Sequence, residues 1–166
     1  GKPVFVIYRP QNIPKLADML TYWRGLAQGH DLPGLYVIHQ KSYDLPDASL
    51  LKGFDAVFQF QPSEAVHSAA YGPRSIRQST LFNLAAIEQR PEPGLTTYPG
   101  AFVDWDNASR YKNRATVYQG ATPALFAYWL GELVKTLPQR ELPDNLIWLN
   151  AWNEWAECAY LEPDET

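Results

Sequence analysis

Five short, apolar, β-rich runs punctuate the chain, separated by helical or irregular segments. They are Val4 to Tyr8, Leu35 to His39, Ala56 to Phe60, Gly100 to Asp106 and Asn145 to Leu149. Branched and aromatic side chains suit a pleated surface, and runs of this length bounded by Gly, Pro, Asn and Asp read as strands. After the first, Ile13, Leu16, Leu20, Trp23 and Ala27 recur at helical spacing, with Pro14 near the start. A short helix around Ala48 to Lys52 follows the second. A longer one over Ser75 to Gln89 follows the third, after irregular residues 61–74. "RPEPG" is a sharp break, and "ASRYKNRATVYQG" reads as a long loop. Thr122 then reads as an N-cap with Pro123 at the first helical position, and Leu125, Trp129 and Leu133 carry that helix to Thr136.

Strands that alternate with helices form a parallel sheet, because a parallel neighbour needs a long crossover. Their near-continuous apolar content means that both faces are covered. The fold class is therefore α/β, in one domain over residues 1–166. Two architectures satisfy this order. A five-stranded doubly wound sheet fits the length. A (β/α)8 TIM-barrel-like fold takes about 250 residues, so that only about the last five β/α units would be present. The glycine-rich phosphate loop of nucleotide-binding doubly wound sheets is missing: "RPQNIP" follows the first strand.

Several function classes drop out. The formal net charge is −4 and no stripe of Lys and Arg is present, which speaks against nucleic acid and anionic membranes as partners. The single cysteine, Cys158, cannot form an internal disulfide, and no CxxC or HExxH stands in the chain, so no metal or cofactor site is expected. No apolar stretch reaches the length of a membrane span. The chain starts at Gly1 and reads as strand almost at once, so it is expected to belong to something longer.

The strand ends are polar, and carboxyl ends of parallel strands are where α/β proteins build sites. They carry Tyr8 and Arg9, then His39, then Asp104, Trp105 and Asp106, and last "NAWNEWAE", Asn150 to Glu157. Glu154 and Glu157 stand three apart between Trp152, Asn153 and Trp155. If the chain turns helical after Trp152, both carboxyls share a face. Mutual repulsion and desolvation by the tryptophans then favour one protonated and one ionised carboxyl, the pair that glycosidic cleavage requires. Trp152 and Trp155 would stack on sugar rings, and Asn150 and Asn153 suit hydroxyl recognition. Asp104 and Asp106 could bind hydroxyls around Trp105. Tyr8, Arg9 and His39 complete the substrate-binding candidates. The plainer readings are a solvated helix face for the glutamates, turn chemistry for the aspartates, an ion pair for Arg9 and a packed core histidine for His39.

The stretches "PVFVIYRPQNIPKLADMLTYWRGLA", "YPGAFVDWDNASRY" and "LIWLNAWNEWAECAYLEPD" resemble the WbsX-type family. Its members are described as glycosyltransferases of lipopolysaccharide O-antigen biosynthesis, related to the endo-α-mannosidases, which are (β/α)8 barrels. In those enzymes the comparable stretch reads Asn-Glu-Trp-His-Glu-Gly, with Glu-Pro shortly after. Here Ala156 replaces His and Cys158 replaces Gly, with Glu162 and Pro163 following. The resemblance implies the later part of a barrel. It also implies a bacterial cytoplasmic enzyme acting on an oligosaccharide or polysaccharide, with a nucleotide-sugar as candidate donor. Glu157 would be the general acid/base, and Glu154 would draw the proton from the sugar's own 2-hydroxyl. A non-catalytic carbohydrate-binding fragment is the alternative. The open edges of a partial sheet imply either further strands or self-association.

Overall fold

The computed structural model describes residues 1–42, 49–63, 75–78, 92–140, 143 and 145–164. It is a mixed α/β fold with parallel strand pairing, divided into two compact units: Gly1–Gln59 with Pro91–Tyr98, and Phe60–Arg90 with Pro99–Thr166.

In the first unit β1 (Val4–Ile7), β2 (Tyr36–Lys41), β3 (Ala56–Gln59) and β5 (Thr96–Tyr98) form a parallel sheet in that order. Ile7 lies beside His39, His39 beside Val57, and Lys41 beside Gln59. Helix α1 (Leu16–Gly29) buries Leu16, Leu20 and Ala27, one stripe at helical spacing. Leu16 and Leu20 cluster with Ile7, Val37 and Phe54, and Trp23 meets Phe5 edge-on at 5.0 Å. The helix starts later than Ile13, because a 3-10 turn at Pro10–Asn12 and left-handed Lys15 come first. Arg24 fastens it: Nη2 donates to Asp55 Oδ2 at 2.8 Å and to the Gly53 carbonyl at 2.7 Å. Asp55 Oδ2 also accepts the Val37 N–H, so one carboxylate joins α1, β2 and the entry to β3. Gly53 has φ +103, a backbone conformation that side-chain-bearing residues rarely adopt, which explains a glycine at this turn.

Pro99 has no N–H, and it separates β5 from β6 (Gly100–Phe102). In the second unit β6 pairs in parallel with β8 (Trp148–Asn150). Strand β4 (Ser75–Gln78) pairs in parallel with β7 (Thr116–Gln119). Phe102, Trp105, Tyr118 and Ala159 make a buried cluster, with Phe102 and Tyr118 edge to face at 5.1 Å. Between β6 and β7 lies a helical turn, α2 (Ala108–Tyr111). Helix α3 (Pro123–Thr136) begins as its sequence predicts, since Thr122 Oγ1 accepts the Leu125 N–H at 3.1 Å. None of the described helices is long and apolar enough to cross a membrane.

Four expectations need correction. Residues 75–78 are a strand, not the start of a helix; the rest of that expected helix, and residues 43–48, lie outside the described residues. The partner of β4 is β7, which sits inside the stretch read as a loop, where "TVYQ" is a β-branched and aromatic run. The fourth expected strand stops at Phe102, because side-chain oxygens of Asp104 and Asp106 accept the N–H groups of Trp105 and Ala108 and turn the chain. The last strand is Trp148–Asn150 and is not buried throughout: Leu149 is exposed.

Candidate active site

Strands β6 and β8 end side by side, with Phe102 opposite Asn150, and the Val103 N–H continues the ladder to the Asn150 carbonyl at 3.2 Å. The two segments beyond them are stitched together. The Asp106 N–H donates to the Glu157 carbonyl at 2.8 Å, and the Ser109 hydroxyl donates to the Ala156 carbonyl. The Tyr118 N–H donates to the Trp105 carbonyl at 2.8 Å, and Asn107 Oδ1 accepts the Thr116 N–H. These bonds satisfy backbone groups that would otherwise be stranded at the strand ends.

After Trp152 the chain is not the helix expected from the glutamate spacing. It forms an antiparallel pair, β9 (Asn153–Glu154) with β10 (Ala159–Tyr160), joined by a 3-10 turn at Trp155–Glu157. A 3-10 helix has three residues per turn, so a spacing of three still brings the carboxyls to one side. Arg110, from α2, records this directly. Its Nη2 donates to Glu154 Oε1 at 2.9 Å and its Nη1 to Glu157 Oε1 at 3.1 Å. The Glu157 side chain is 11% exposed and that of Glu154 35%. Burial pushes the Glu157 carboxyl up from the usual carboxylate range; Arg110 pulls it down and Glu154 pushes it further up.

Burial likewise raises Asp104, against the pull of the Trp105 N–H, with Asp106 adding to the rise. The Cys158 thiol is free and is raised by burial and then by Asp106 and Asp104, so it is held in its poorly nucleophilic form. Cys158 stands in the left-handed region, φ +54, at the end of the 3-10 turn. Among the described residues no three His, Cys, Asp or Glu side chains converge as a metal-ligand set.

The remaining candidates divide sharply. Trp105 is 5% exposed and belongs to the core cluster. The Asn150 amide donates to the Gln61 carbonyl at 2.9 Å in a buried bond. Asp106 Oδ1 caps the turn at Ala108, the turn role that was the plainer reading. Trp155 stacks on Tyr160 at 3.8 Å and donates its indole N–H to Glu162 Oε2 at 2.6 Å, so one of its faces is taken. Trp152 is 62% exposed, and Asn153 is exposed on β9.

Tyr8, Arg9 and His39 belong to the first unit. The Arg9 guanidinium lies 4.9 Å over the Tyr8 ring and Nη2 donates to its hydroxyl at 3.3 Å, with both residues exposed. His39 is buried on the α1 side of the sheet, edge-on to Phe54, with Nδ1 3.3 Å from the Ile7 carbonyl. Its Nε2 has no partner among the described residues, and burial lowers its pKa. That is the geometry of a packed core histidine.

Arg110 is the residue that sequence reasoning missed. It lies in a segment read as loop, and only the pairing of strand ends brings it to glutamates more than forty residues later.

A parallel α/β scaffold with two glutamates sharing one arginine beside exposed tryptophans defines the class of site. The chain belongs to the family described as glycosyltransferase WbsX, which it matches over residues 1–166. It is 28% identical over 172 residues to two proteins named uncharacterized protein WxcX, from Xanthomonas campestris pv. campestris strains B100 and ATCC 33913. The alignment covers 98% of this chain and 25% of each relative, so the chain spans a quarter of the length of the curated relatives it matches. No solved structure matches it.

Proposed function

We propose that residues 1–166 are one catalytic domain of a carbohydrate-active enzyme that builds or processes a bacterial surface polysaccharide. Its chemistry runs through Glu157 and Glu154. The observation that carries this reading is the buried Glu157, its carboxyl pushed up by burial, held with Glu154 on a single guanidinium. Glu157 gives its proton to the leaving oxygen. Glu154 takes the proton of the sugar 2-hydroxyl, whose oxygen bonds to the anomeric carbon as the glycosidic bond breaks. Glu157 then takes a proton from water or an acceptor hydroxyl, which attacks the anomeric carbon. The bond to O2 opens, and Glu154 returns the proton. Water gives hydrolysis; a sugar hydroxyl gives transfer. Trp152 offers its exposed ring to a saccharide face.

The fold supporting this chemistry is the later part of a (β/α)8 barrel. The order β1-β2-β3-β5 follows the chain without the reversal that marks a doubly wound sheet. A second reading, non-catalytic saccharide binding, is favoured by the exposure of Trp152 and Trp155. Assay of the protein against α-mannosides and nucleotide-sugars separates the two. Turnover that Glu157→Gln abolishes supports the enzyme. Calorimetric binding without turnover, unchanged when both glutamates are replaced, supports the second reading.

A further inference from the structure

We propose that Arg110 is the positioning residue of the glutamate pair, its one guanidinium fixing both carboxyls and leaving the second oxygen of each for the substrate. The inference rests on the reading of Glu154 and Glu157 as the working pair. It starts from the geometry of the fork. Guanidinium nitrogens are planar and rigidly spaced, so one donor on each carboxyl sets the distance and the facing of both. Arg110 uses Nη1 on Glu157 Oε1 and Nη2 on Glu154 Oε1. The Oε2 atoms of both glutamates have no hydrogen-bond partner among the described residues.

The base of the fork is itself held. Arg110 sits on a turn whose first N–H, from Ala108, is bonded by Asp106 Oδ1, and whose Ser109 hydroxyl reaches the Ala156 carbonyl inside the glutamate turn. The Arg110 N–H closes the turn on the Asn107 carbonyl. Movement of the arginine relative to the glutamates is therefore restrained from both segments, as a preorganised site requires.

The arginine also lies where its charge acts on the Glu157 carboxyl. Glu157 is the more buried, and the charged and titratable groups acting around it are Arg110 and Glu154, with Asp104, Asp106 and Cys158 on the adjoining segments. A lysine would supply the charge but only as a point, without a second prong. Exchange of arginine for lysine thus separates charge from positioning.

The test is a carbon-13 NMR titration of the glutamate side-chain carboxyls in the protein, with Glu157 assigned by Glu157→Gln. It needs no substrate, so its result is independent of whether any glycoside is turned over. In Arg110→Gln, Glu157 is expected to titrate higher than in the unaltered protein, by about one pH unit or more, as loss of an adjacent opposite charge requires. In Arg110→Lys the midpoint is expected to return toward the original value, while the Glu154 carboxyl resonance stays displaced because only one carboxyl can be held. Amide spectra report folding, and if Arg110→Gln is unfolded the lysine variant alone decides. A Glu157 midpoint unchanged in Arg110→Gln, or a lysine variant indistinguishable from the unaltered protein at both carboxyls, overturns the proposal.

Discussion

Trp105 and Trp152 look alike in sequence, each just after a strand and within two residues of a carboxylate, yet the structure gives them opposite work. Trp105 is 5% exposed against Phe102, Tyr118 and Ala159, whereas Trp152 is 62% exposed. A buried tryptophan removes about 150 to 250 Å² from water. At about 25 cal/mol per Å² that is roughly 4 to 6 kcal/mol. Residual burial in the denatured chain lowers it by roughly a tenth to two-fifths, leaving about 2 to 5 kcal/mol, which contains the usual range of about 3 to 5 kcal/mol for tryptophan to alanine in a core. Trp105→Ala should therefore lose about 3 to 5 kcal/mol, and Trp105→Phe, which keeps a ring, distinctly less. Trp152→Ala should stay within about 0.5 kcal/mol while weakening saccharide binding. Urea unfolding followed by far-ultraviolet circular dichroism, which does not depend on the deleted fluorophore, measures all three. A loss under about 1 kcal/mol for Trp105→Ala, well below the expected core range, would refute the assignment of that ring to the core.

Three further outcomes follow from the same coordinates. Glu157 has a folded pKa above its unfolded one, so its favourable contribution is complete at low pH and is lost as pH rises through the folded value; Glu157→Gln should raise the melting temperature at alkaline pH and leave it unchanged in acid. His39 is shifted the other way, lowered from its ordinary 6.5, so stability is present above 6.5 and lost as pH falls below it toward the folded value; unfolding midpoints across that window should slope for the parent protein and flatten in His39→Leu. Cys158 holds φ +54, a region that costs a side-chain-bearing residue about 1 to 2 kcal/mol, against a glycine entropy cost of about 0.5 to 1 kcal/mol. Cys158→Gly should thus raise thermal stability by a few tenths to about 1 kcal/mol, and a lower melting point would contradict the left-handed assignment.

The elements that were legible in the sequence are those whose signals are local. Thr122 and Pro123 announce the start of α3, and the spacing of Leu16, Leu20 and Ala27 announces α1. The parallel pairing of β1, β2 and β3 follows from the alternation of strands with intervening segments. What was misread depends on distant partners. Residues 75–78 pair with β7 across about forty residues of chain, and a short apolar run does not announce such a partner. The glutamate pair was visible from its spacing, although the turn beneath it is 3-10 and not α-helical. Asn150 and Trp105 were read as ligand contacts because burial is not written locally. The amide of Asn150 answers a carbonyl at Gln61, and Trp105 packs on Tyr118 of a strand that had been read as loop.

The central claim, that Glu157 donates the proton to the leaving group, is tested most directly by varying how much that group needs one. Fluoride departs without a proton, and an alkoxide does not. With Glu157→Gln, turnover of an alkyl α-mannoside should fall by about a hundred- to ten-thousand-fold, while α-mannosyl fluoride is still consumed at close to the original rate of its first step. Equal loss of the first step on both substrates, or no loss on either, would contradict the account.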